Sequence, residues 1–174
     1  MWPFKKEINI QTISQSEMVP IGPVILTEEE QEECQGFIDS ITHDEEGKVA
    51  CARKKHVETI RRCLMAIALI GRADRLLILA GIHARQEQEG EEDKLEMACS
   101  AAAKASAIYP LPIFLYDFAC ILERAGKNAD AKTIFKEFLR RQETYSPSPM
   151  DVGILNQRDI PSAILYAKDM ILME

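Results

Sequence analysis

LYDFACILERAGKNADAKTIFKEFL, residues 115–139, contains two helical patterns joined at Gly126, each with one apolar face. On the first, Leu115, Phe118, Ala119 and Leu122 recur at spacings of three and four, which stacks them along one side of a helix. Ala131, Phe135 and Phe138 do the same on the second. Gly126, followed by Lys127 and Asn128, supplies the reversal. A small residue on each helix lets the two backbones approach closely, so an antiparallel hairpin is expected. One hairpin cannot bury both of its apolar edges, and neighbouring elements must cover them.

The flanking sequence has the same character. EEDKLEMACSAAAKASAIYP (91–110) carries an alanine-rich face as far as Pro110, and ADRLLILAGIHARQEQ (73–88) precedes it, ending before Gly90. Further upstream, the run from Val49 to Ile70 aligns Val57, Ile60, Leu64 and Ile67 on one helical face, and Gly71 is expected to stop it. The apolar stretch CLMAIALIGRADRLLILAGI (63–82) therefore reads as two core helices meeting at a turn; Arg72, Asp74 and Arg75 interrupt it too heavily for a membrane span. Thr27 and Glu30 have capping-box spacing ahead of EEEQEECQGFIDSI. A loop is expected over about 143–159, where SPSP and DVG fall, and Pro161 marks the start of a closing helix over about 160–173. About seven helices and no strand signal place the chain in the all-α class.

The layout of residues 115–139 resembles the tetratricopeptide repeat (TPR), a helix-turn-helix unit of about 34 residues that often ends at a proline. A second copy can be laid beside it. Ala98, Ala102 and Ala105 precede Ala131, Phe135 and Phe138 by 33 residues, and Pro110 stands at the closing position. Leu79, Ile82 and His83 precede Leu115, Phe118 and Ala119 by 36, so three additional residues fall in the acidic turn GEEDK. The resemblance implies TPR-like pairs at about 76–110 and 112–145, stacked as a short right-handed superhelix with flanking helices. These form a single all-α domain over 27–174 behind an extended or flexible arm, 1–26, punctuated by Pro3, Pro20, Gly22 and Pro23.

It also implies a function: a non-enzymatic adaptor or chaperone-like module that holds a protein segment in a helical groove. Ile113, Tyr116, Cys120 and Arg124, pointing away from the hairpin's own core, are the expected lining. Asp117 and Glu123 would repel the chaperone carboxylate that some family members clamp, so a basic or apolar partner is expected rather than an acidic one. The alternative is a structural or assembly protein that forms a homodimer through AILYAKDMILM (163–173).

Composition narrows the classes further. The 174 residues, 19.6 kDa, suit one domain, and 21 basic against 28 acidic residues, net -7, oppose attraction to nucleic acid. Cys34, Cys51, Cys63, Cys99 and Cys120 contain no C-x-x-C and are odd in number, so neither a disulfide framework nor a zinc knuckle is expected. His43, His56 and His83 are scattered, and Cys51, His56 and Cys63 do not share a helix face, since twelve residues turn a helix by about 120°. No catalytic, metal or cofactor site is expected. Glu28, Glu29, Glu30, Glu32 and Glu33 suit a helix N-terminus, and Arg53, Lys54, Lys55, Arg61 and Arg62 suit a solvated helix face paired with those glutamates. MWPFKK at the N-terminus sets Trp2 and Phe4 beside Lys5 and Lys6, too few residues to hold a membrane alone. No secretory apolar region follows, so a cytoplasmic location is expected.

Overall fold

The computed structural model describes residues 24–42, 57–86, 89–149 and 151–173. Among them are seven helices and no strand: α1 (Glu28–Thr42), α2 (Val57–Arg85), α3 (Glu91–Ile108), α4 (Pro112–Arg124), α5 (Asn128–Thr144), α6 (Val152–Leu155) and α7 (Ile160–Leu172). The Arg53, Lys54 and Lys55 cluster, Cys51, His43, His56 and MWPFKK lie outside the described residues.

The turn expected at Gly71 does not exist, and α2 runs unbroken for 29 residues. The charges that follow Gly71 are placed on helix faces that meet neighbours. Arg72 reaches Glu29 (2.9 Å) and Glu33 (2.7 Å) of α1, Arg75 also pairs with Glu33, and Asp74 meets Arg124 of α4 at 3.2 Å. A helix with tertiary partners on both sides of Gly71 tolerates the roughly 1 kcal/mol that an interior glycine costs. The helix count matches the sequence expectation only because this merger is offset by α6, a four-residue helix inside the expected loop.

Alanine sets the closest packing. Ala66, Ala73 and Ala80 recur every seven residues on α2, and Ala98, Ala101, Ala102 and Ala105 stripe α3; all are fully or almost fully buried. Small side chains permit close approach of helices, and α2 with α3 makes the most extensive helix contact among the described residues. The connection between them closes on Gly90, whose φ of 96° lies in the left-handed region. The α4–α5 reversal closes on Gly126, with φ 77°. There the Lys127 amide bonds to the Leu122 carbonyl and the Gly126 amide to the Glu123 carbonyl, both at 2.8 Å, the paired bonds of a Schellman cap.

Among the longer helices α1 packs on α2, α2 on α3, α3 on α4, α4 on α5 and α5 on α7, and α4 also touches α2 and α7. Val24 and Leu26, in the stretch expected as an arm, pack into the core. The capping box forms as expected: the Thr27 amide donates to Glu30 Oε2 (2.9 Å) and the Glu30 amide to Thr27 Oγ1 (3.2 Å). Glu30, only 4% exposed, also accepts from Lys104 of α3 at 2.6 Å, so the cap doubles as a tie between helices.

Two substitutions check this packing by denaturant unfolding. Gly71→Ala adds a methyl that meets nothing closer than the flexible Arg75 guanidinium at 3.5 Å, so it is expected to stabilise the fold by about 0.5–1 kcal/mol. Ala131→Leu forces three extra heavy atoms into a fully buried position on α5, and a loss of about 1–3 kcal/mol is expected.

Candidate interaction groove

Along α2, Ile60, Leu64 and Ile67 stay half-exposed because α3 ends before it can cover this part of the longer helix. The Arg62 guanidinium, donating to the Ile108 carbonyl at 3.1 Å, marks where α3 stops. A cleft of about 480 Å³ opens there, lined by these residues with Cys63 and Ile70, by Phe114 of α4, and by Gly153, Ile154, Gln157 and Arg158 from the α6 segment.

The α6 wall has no buried residue of its own. It is anchored by Asp151, 6% exposed, whose carboxylate accepts from the Tyr109 hydroxyl (2.6 Å), the Tyr145 hydroxyl (2.5 Å), the Ser148 hydroxyl (2.8 Å) and the Ser148 amide (2.9 Å). The Asp151 carbonyl in turn accepts from the Ile154 and Leu155 amides. Burial pushes the Asp151 carboxyl up, but donation from Tyr109, Tyr145 and Ser148 prevails and holds it below the usual aspartate range. Both tyrosine hydroxyls are pushed up, by burial first and then by the bond to Asp151. One carboxylate thus joins the end of α3, the end of α5 and the start of α6.

A second tie holds the far side of the wall. Arg158 grips Asp117 of α4 with two bonds, 3.0 and 2.5 Å, and Asp117 is nearly buried. Burial pushes the Asp117 carboxyl up to about 6, against the pull of Arg158. Among charged lining residues, Arg158 is therefore neutralised within the protein, and the cleft presents mainly apolar surface.

The four residues expected to line a groove are dispersed. Ile113 is 2% exposed and belongs to the core. Tyr116 packs its ring against Phe135 (5.9 Å) and Phe138 (5.5 Å) of α5 and Tyr166 (6.2 Å) of α7. Cys120 is half-buried, its thiol pushed up to about 11 by burial. Arg124 alone is largely exposed, and it pairs with Asp74. The cause is the central place of α4, which has helices on four sides, so its second face is covered as well as its first. Tyr116 is held under α7 by the same cluster, while the Tyr166 hydroxyl donates to Glu123 at 2.8 and 2.9 Å.

Cys63, in the cleft, is pushed up to about 12 by burial and then by Asp151, and Cys34 to about 11 by burial. Both are protonated near neutral pH and unsuited to nucleophilic work. No group of three or more His, Cys, Asp or Glu side chains among the described residues is arranged to hold a metal ion. No helix among them is long and apolar enough to cross a membrane.

The sequence carried one readable signal for the missed wall. Ser148-Pro149-Met150-Asp151 has the same S/T-x-x-D/E spacing as Thr27–Glu30, and its amide-to-carboxylate bond forms in the same way. The tyrosine partners, 42 and 6 residues from Asp151, carried none. Comparison of the chain with protein-family models, curated proteins and solved structures finds no match.

The Asp117 carboxyl gives a pH test with a defined sign. Its folded value of about 6 lies above the ordinary aspartate value of about 3.9, so proton uptake favours the folded state. Its contribution to stability should grow as pH falls from about 7 to about 4. Relative to Asp117→Asn, the wild type is expected to gain stability over that window, measured as the difference in urea midpoint at each pH.

Proposed function

We propose that the chain is a non-enzymatic protein-interaction module of tetratricopeptide-like build, a small adaptor or chaperone-like protein that takes a partner's segment into the α2–α4–α6 cleft. The observation that carries this reading is the half-exposed stripe Ile60, Leu64 and Ile67, which continues through the cleft beside Phe114 and Ile154. Farther along α2, Ile78 and Ile82 are exposed. Burying such a stripe is the usual source of affinity for an apolar segment. The repeat reading draws support from the pairing of α2 with α3 and of α4 with α5, and from the buried alanines these helices carry.

Chemistry selects the partner class. The apolar lining suits an apolar segment, and the net charge of -7 favours basic residues flanking it over acidic ones. A second reading has its own observation: Leu165, Leu172 and Met173 are exposed on or beside α7, which suits homodimerisation through that helix.

Paired variants separate the two. Leu64→Glu with Ile67→Glu is expected to keep the circular-dichroism spectrum and to lose at least tenfold in affinity for partners captured from native extract by the wild type, while Leu165→Glu with Leu172→Glu retains them. Loss of self-association in the α7 variant, seen by sedimentation across a concentration range, together with full capture by the cleft variant, would establish the dimer reading instead.

A further inference from the structure

Residues 145–149, Tyr-Ser-Pro-Ser-Pro, connect α5 to the α6 wall, and Ser146, Pro147, Ser148 and Pro149 are all exposed. Pro149 disfavours helical backbone at Ser148, which lies outside any helix, and biases it toward the extended form in which a substrate enters the channel of a proline-directed protein kinase. Ser148 is also bonded twice to one oxygen of the buried Asp151 carboxylate, by its hydroxyl at 2.8 Å and its amide at 2.9 Å. An exposed serine thus sits on the anchor at one end of a wall that buries no residue of its own and is otherwise tied by the Arg158–Asp117 pair at its far end.

We propose that Ser148 is a phosphorylation site for a serine/threonine kinase of the proline-directed class, and that phosphate there releases α6 and the wall it builds. In the transfer, Ser148 Oγ attacks the γ-phosphorus of ATP. The Oγ–P bond forms as the bond from γ-phosphorus to the bridging oxygen breaks; ADP leaves with the bond pair, and the hydroxyl proton passes to the kinase's carboxylate base. The ester oxygen has lost its hydrogen and no longer donates to Asp151. A charge of about -1.5 to -2 then stands against a buried carboxylate already committed to Tyr109 and Tyr145.

Relief requires Asp151 or the loop to move, and α6 depends on both. Its first amide bonds run to the Asp151 carbonyl, and its side chains Ile154 and Leu155 are only partly buried. Gly153 and Ile154 leave the cleft when it moves, so the modification widens the cleft whether or not a protein segment is its occupant. Ser146-Pro147 offers the same local sequence without a bond to Asp151 and serves as an internal control.

The folded full-length chain is incubated with a purified proline-directed kinase and ATP; the phosphate is located by tandem mass spectrometry, and amide hydrogen exchange over 151–158 is compared before and after. Phosphate on Ser148 and at least tenfold faster exchange of the Ile154 and Leu155 amides are expected. Ser146→Ala should change neither result. Ser148→Ala should abolish the acceleration and, keeping its amide bond to Asp151, leave the unmodified wall protected. Absence of phosphate on Ser148 overturns the site. Phosphate on Ser148 with exchange unchanged or slowed, as when the phosphate pairs with a nearby arginine, overturns the release.

Discussion

The contact between α2 and α3, the most extensive among the described residues, joins two helices that each carry a stripe of buried alanines. Ala66, Ala73 and Ala80 on α2 and Ala98, Ala101, Ala102 and Ala105 on α3 are buried and small enough to permit a close approach that larger side chains would forbid. Because α2 has 29 residues and α3 has 18, the pairing cannot cover the whole of α2. The overhang is left to α4 and the α6 segment, and the cleft is the part of it that they do not fill. The candidate site therefore follows from a mismatch in helix length.

Charged residues organise this assembly from positions at the edge of the core. Glu30 caps α1 and binds Lys104, Arg72 reaches two glutamates of α1, and Asp74 meets Arg124. An exposed pair such as Asp74–Arg124 contributes about 0–1 kcal/mol, whereas burying a phenylalanine such as Phe114, Phe135 or Phe138 contributes about 1.5–3 kcal/mol. Packing supplies the stability, and the ties select which faces meet. The same division holds at the cleft, where apolar side chains form the surface while Asp151 and the Arg158–Asp117 pair hold one wall in place.

That wall differs in kind from the rest of the fold. The helices α2 to α5 each bury several residues, but α6 buries none and is retained by the hydrogen bonds of Asp151, the Arg158–Asp117 pair and two partly buried side chains. Elements held by few buried contacts open at lower free energy than the core around them. One side of the cleft, α2, thus belongs to the core, while the other is held by polar ties.

Periodicity alone determined that the chain is helical, where the α4–α5 hairpin turns, and that Thr27 and Glu30 cap α1, because each depends on residues within a few positions of one another. It misplaced the break at Gly71, since a glycine's local cost is outweighed by partners on α1 and α4 that no local pattern displays. It also turned Ile113 and Tyr116 outward, because a helical repeat reports which face is apolar but not how many faces are covered. Tertiary structure decided the candidate site. Asp151 finds Tyr109 across 42 residues and Arg158 finds Asp117 across 41, and pairings at such separations exist only once the helices have stacked.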